Sequence, residues 1–132
     1  ATLGTLMAIN VWFIIWPNQQ ILIASATQVA GGGEALAEAA AAAPKAALAS
    51  RSNTLFSIPM LFFMGSSAHM PTSMLMDEMS TSSASLVAVF LVILALEVNA
   101  IRGQVGPMAS VKGVIHCGLL LTAVLYGLMV AL

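Results

Sequence analysis

Few residues in this chain could carry chemistry: Glu97, His116 and His69, with a loose scatter of methionines. Glu97 lies in V-I-L-A-L-E-V-N-A-I-R, five residues before Arg102. His116 follows Lys112 by four residues, one turn further along the same helical face. At 1.5 Å per residue each sits about 6–8 Å inside its boundary charge. In an antiparallel hairpin, Glu97 and His116 are therefore expected to meet as an ion pair or hydrogen bond. Such a pair could pass a proton or simply satisfy two polar groups in lipid. The second arrangement is the cheaper one, and it is the reading adopted here. His69 closes a different apolar run. A neutral imidazole can ligate haem iron or chlorophyll magnesium, and it can equally mark where a helix returns to water. His69 and His116 would differ in depth by roughly 15–20 Å at 1.5 Å per residue. A single haem cannot take both, so a cofactor at His69 would need its second ligand elsewhere. The nine methionines could suggest Cu(I). No Cys- or His-rich array accompanies them, so they read as adaptable packing residues. Phosphate-binding glycine loops, Ser-His-Asp sets and paired cysteines are absent from the sequence, and four basic residues cannot build a nucleic-acid surface.

The elements that must position these residues follow from composition. Of 132 residues, 60% are hydrophobic and 7% charged, with a mean hydropathy of +1.00. Soluble domains carry about 25% charged residues, and nine charges cannot clothe a chain of this size in water. The alternative solvent is lipid, where backbone groups must be satisfied within a helix or a closed barrel. The apolar runs are too long and continuous for barrel strands. The expected fold is an all-α integral membrane domain spanning 1–132, with four transmembrane helices at about 1–23, 53–70, 84–102 and 112–132. Both ends stop inside apolar sequence, so trimmed termini are expected.

The connections are unequal. Residues 24–52 contain Gly31-Gly32-Gly33 and then an Ala-rich stretch of strong helix formers, expected to be a helical loop interrupted at Pro44. It would either pack against the membrane surface or another subunit, or be a solvent-exposed linker. Residues 102–113 form a short Gly/Pro link that makes the third and fourth spans a hairpin. Trp12 and Trp16 precede Pro-Asn-Gln-Gln and read as an interfacial exit, with Pro17 kinking or ending the first helix. Lys45, Arg51, Arg102 and Lys112 all fall in or beside the first and third connections, whereas 70–83 carries Asp77 and Glu78. Basic residues favour the cytoplasmic side, so 24–52 and 102–112 are expected there, in a bacterial inner membrane. Arg51 and Asn53 then mark the inner entry of the second span.

Two blocks carry a resemblance. V-W-F-I-I-W-P-N-Q-Q (11–20) and A-A-L-A-S-R-S-N-T-L-F-S-I-P-M-L-F-F-M (46–64), with His69 shortly after, resemble the membrane domain of the bacterial urate hydroxylases, the urate oxidase N-terminal family. The resemblance implies a multi-span membrane protein whose full-length members add a cytochrome c domain and pass electrons from urate to a c-type haem. It also implies a His between the Arg and Asn of the second block, where this chain has Ser52, and a His at the position of His69. The substitution at Ser52 and the lack of a C-x-x-C-H site argue against oxidase activity by this chain alone. The expectation is a small accessory subunit that packs in lipid among other membrane subunits of an energy-transducing complex, respiratory or photosynthetic. The alternative is a urate-hydroxylase-like redox protein using His69, with electrons leaving through a c-type cytochrome.

Overall fold

The computed structural model describes residues 1–69 and 82–131. Among them the chain is helical and without strands: α1 (Thr2–Ala30), α2 (Ala39–His69), α3 (Ser83–Arg102) and α4 (Val111–Ala131), with a 3₁₀ turn at Gly106–Ala109 before α4. By length and composition, α1, α3 and α4 can each cross a membrane. The expected connection at 70–83, with Asp77 and Glu78, lies almost wholly outside the described residues.

The expected end of the first helix is corrected. The helix does not stop at Pro17 or residue 23 but continues to Ala30. The residues before Pro17, Val11–Ile15, form a π turn. Proline lacks an N–H and its ring crowds the carbonyl four residues back. A wider turn removes that carbonyl from the ring's path, and helices commonly tolerate a π turn of this kind. Asn18 Nδ2 donates to the Ile14 carbonyl at 2.7 Å, satisfying an oxygen within the widened turn. Trp12 and Trp16 stand outward, 68% and 51% exposed.

The second helix also differs from expectation. Pro44 does not interrupt it, and the Ala-rich residues from Ala39 onward are its first turns rather than a separate loop. Pro44 lies only in the second turn, so its missing N–H removes one bond near an end that is already under-bonded. Pro59 is enclosed by neighbouring side chains. Between α1 and α2 the chain reverses at Gly31–Gly33. Gly32 has φ +85°, a left-handed conformation that favours glycine. Ser25 Oγ accepts from the Leu36 N–H at 3.0 Å and pins the returning segment to α1. Ala42, Ala46 and Ala49 are buried, and their small side chains allow the close helix approach typical of membrane bundles.

The α3–α4 hairpin is as expected. Ser82 caps α3 by accepting from the Ser85 N–H at 3.1 Å. Arg51 on α2 donates Nη1 to the Met108 carbonyl at 2.6 Å, so the hairpin loop sits level with Arg51. Further along, Gly118 faces Ile58 so closely that a Cβ there would overlap the Ile58 side chain. The core joins all four helices through Leu3, Leu55, Phe56, Ile93, Val114, Leu121 and Leu125. Because the loop lies at Arg51, Ala39–Ser50 and the facing part of α1 extend about 18 Å beyond it at 1.5 Å per residue.

Candidate functional site

Polar side chains converge where α1, α2 and α3 meet. Asn53 Nδ2 donates to the Met7 carbonyl at 3.0 Å, which leaves Asn53 Oδ1 facing Asn10. Asn10 Nδ2 donates to that oxygen at 3.1 Å and to Glu97 Oε2 at 3.2 Å. The chain of bonds fixes its own direction. A carbonyl can only accept, so Asn53 must present its amide nitrogen to Met7 and its oxygen to Asn10. Asn10 must then present its nitrogen, and both of its hydrogens are used. Asn10 is 0% exposed and Glu97 6%. Asn10 Oδ1 is buried without a partner, as is Ser52 Oγ one residue before Asn53.

The expected Glu97–His116 pair does not form. His116 is exposed, and its Nδ1 donates to the Lys112 carbonyl one turn back, at 2.6 Å. Glu97 instead turns into the bundle toward Asn10. The hairpin does bring α3 beside α4, but the register argument ignored which face of each helix points inward. Asn10 was the residue missed. A lone Asn in an apolar run was its available signal, since a polar side chain deep in a span faces protein rather than lipid.

His69 is the last residue of α2 and is exposed. The Gly118–Ile58 contact sets α2 and α4 in register, and from it His69 and His116 lie about 18–20 Å apart in depth at 1.5 Å per residue. No haem can bridge them. Among the described residues no group of three or more His, Cys, Asp or Glu could hold a metal. A cleft of about 450 Å³ lies at the end of the bundle opposite the α3–α4 loop and is lined by Leu3, Met60, Phe63, Met64, Phe90 and Ile93 among others, without His69. Among the described residues, His116 is thus out of reach as a second ligand for a haem at His69. Arg51 anchors the α3–α4 loop, and Ser52, where the family resemblance implies His, is 1% exposed against its neighbours.

The 11–20 block holds the π turn and the S-R-S-N-T block supplies the loop anchor Arg51 and the seam residue Asn53, while Asn10 and Glu97 lie outside both stretches. No curated protein and no solved structure gives a significant match to the chain. The family model described as "urate oxidase N-terminal" matches residues 1–128. This covers nearly the whole sequence, including the α3–α4 hairpin, and the chain belongs to the urate oxidase N-terminal family.

Proposed function

We propose that this protein is a small integral-membrane subunit of a larger electron-transferring complex, respiratory or photosynthetic, in the bacterial inner membrane. In this reading all four helices cross the bilayer, α2 included, with the chain's N-terminus and His69 outward and the Gly31–Gly33 and 103–110 turns cytoplasmic. The placement of the basic residues Lys45, Arg51, Arg102 and Lys112 supports that orientation.

The observation that carries the proposal is the division of side chains between seam and surface. The buried polar groups tie α1, α2 and α3 to one another. The outward faces carry Trp12, Phe13, Trp16, Leu61, Phe90, Leu94 and Leu120, all exposed. Exposed apolar area on this scale suits lipid and neighbouring membrane subunits. A second reading is favoured by one residue. The His69 imidazole is exposed at a helix end, within reach of a haem or chlorophyll carried by a partner chain. There the protein would act as a redox component that hands electrons to a c-type cytochrome.

Gentle extraction from native membranes, followed by an absorption spectrum and subunit stoichiometry, tests both. A colourless chain that copurifies in fixed ratio with a larger complex supports the accessory role. A Soret band lost in His69→Ala supports the redox reading. A colourless chain that runs alone after gentle extraction refutes both.

A further inference from the structure

We propose that Asn10, Asn53 and Glu97 form a binding site for a monovalent cation, either a proton or an alkali ion, held on the Glu97 carboxylate with Asn10 Oδ1 as a second oxygen. The proposal rests on the bundle lying in lipid and not on any partner complex.

The argument begins with what Glu97 lacks. Its carboxyl is 6% exposed and receives one hydrogen bond, from the neutral Asn10 amide at 3.2 Å. A carboxylate taken out of water needs an opposite charge or several donors, since one neutral bond does not offset its desolvation. No basic side chain supplies that charge among the described residues. On α1 there is no titratable side chain at all. On α2 the nearest charged group is Arg51, and its Nη1 faces the Met108 carbonyl. On α3 itself Arg102 is exposed, and on α4 both Lys112 and His116 are exposed. The His116 ring is turned to its own helix backbone.

The second observation is the unpartnered oxygen. Asn10 Oδ1 is fully buried and accepts nothing. Turning the amide over would not help. Its oxygen would then meet Asn53 Oδ1, whose direction is fixed by the Met7 carbonyl. Two oxygen acceptors, one charged and one neutral, therefore belong to directly bonded side chains, and both lack positive charge. Oxygen ligands of this kind suit hard cations, and a carboxyl satisfies the same need by taking a proton. Acidic side chains within membrane spans mark ion pathways and proton relays. The cleft at the far end of the bundle is lined by Leu3 and Ile93, and Ile93 precedes Glu97 by one turn, about 6 Å.

The test uses the whole chain in lipid nanodiscs. Thermal unfolding is followed at constant ionic strength while choline is replaced by Na⁺, K⁺ or Li⁺. The infrared carboxylic-acid C=O band is followed in parallel across pH. An alkali-ion site raises the unfolding midpoint by about 5 °C or more at saturation, and the rise is lost in Glu97→Gln. A proton site shows no alkali dependence but a carboxylic-acid band that is absent from Glu97→Gln. If that variant does not fold, Asn10→Ala keeps the carboxylate and removes the second oxygen. It should weaken the alkali effect several-fold or shift the infrared band. A wild-type protein with neither an alkali response nor a protonated carboxyl band overturns the proposal, as does a response unchanged in both variants.

Discussion

Replacing Asn10 by Leu keeps the number and branching of the side-chain heavy atoms and deletes both donor links at the centre of the bundle. The two bonds lost are those to Asn53 Oδ1 and Glu97 Oε2, at 3.1 and 3.2 Å. Interhelical hydrogen bonds in membranes contribute about 0.6 kcal/mol on average and up to about 1.7, so the pair accounts for about 1–3 kcal/mol. Glu97 would then be left buried with no donor, which adds about 1–3 kcal/mol. Asn10→Leu should therefore destabilise by about 2–6 kcal/mol. Glu97→Leu removes the group that suffers most, and in the Asn10→Leu background it should be neutral or stabilising, as apolar replacements of buried polar sets often are. The two substitutions should then show a coupling of about 1–3 kcal/mol. The assay is reversible unfolding in bicelles of the wild type, both single variants and the double variant. A coupling below about 0.5 kcal/mol, the level expected of independent sites, would refute the network as a structural tie.

Three further outcomes follow from the packing. Arg51→Ala removes the 2.6 Å anchor to the Met108 carbonyl, and amide exchange at Gln104–Ser110 should speed up several-fold while α4 beyond Leu119 is unchanged. Gly118→Val forces a branched side chain against Ile58 on α2; overpacking of this kind costs about 1–3 kcal/mol, and the companion Ile58→Ala should recover part of it in a thermal melt. Phe56 is fully buried among all four helices, so Phe56→Ala should cost about 3–5 kcal/mol and show first as lost yield of folded protein.

Much of the fold could be read from hydropathy alone, because a lipid-facing helix must be apolar over its length. The α3–α4 hairpin needed only two apolar runs and a Gly/Pro link between them. What could not be read was the behaviour of the prolines. Pro17 and Pro44 each looked like a break, yet α1 widens by one turn ahead of Pro17, and α2 runs through Pro44. Local rules describe what proline costs; whether a helix bears the cost depends on the neighbours that hold it. The site shows the same limit. Glu97 and His116 both lie near the loop end of the α3–α4 hairpin, as expected, but depth says nothing of azimuth. Asn10 and Asn53, on helices distant in sequence, turned out to be the residues that Glu97's helix face required.

The π turn in α1 has a consequence for how this helix can vary. One wider turn shifts the phase of everything beyond it relative to an unbroken α-helix, so the half that carries Leu3 and Asn10 and the half that carries Ser25 address α2 from separately set angles. The turn works like a vernier between two scales. Losing a single residue from Val11–Ile15 would rotate one half against the other by about 100°. The seam could keep its amide network or the Ser25–Leu36 tie, but not both. Sequence drift in the projecting α1–α2 arm is thereby uncoupled from the buried centre, as long as the count of residues across that turn is held.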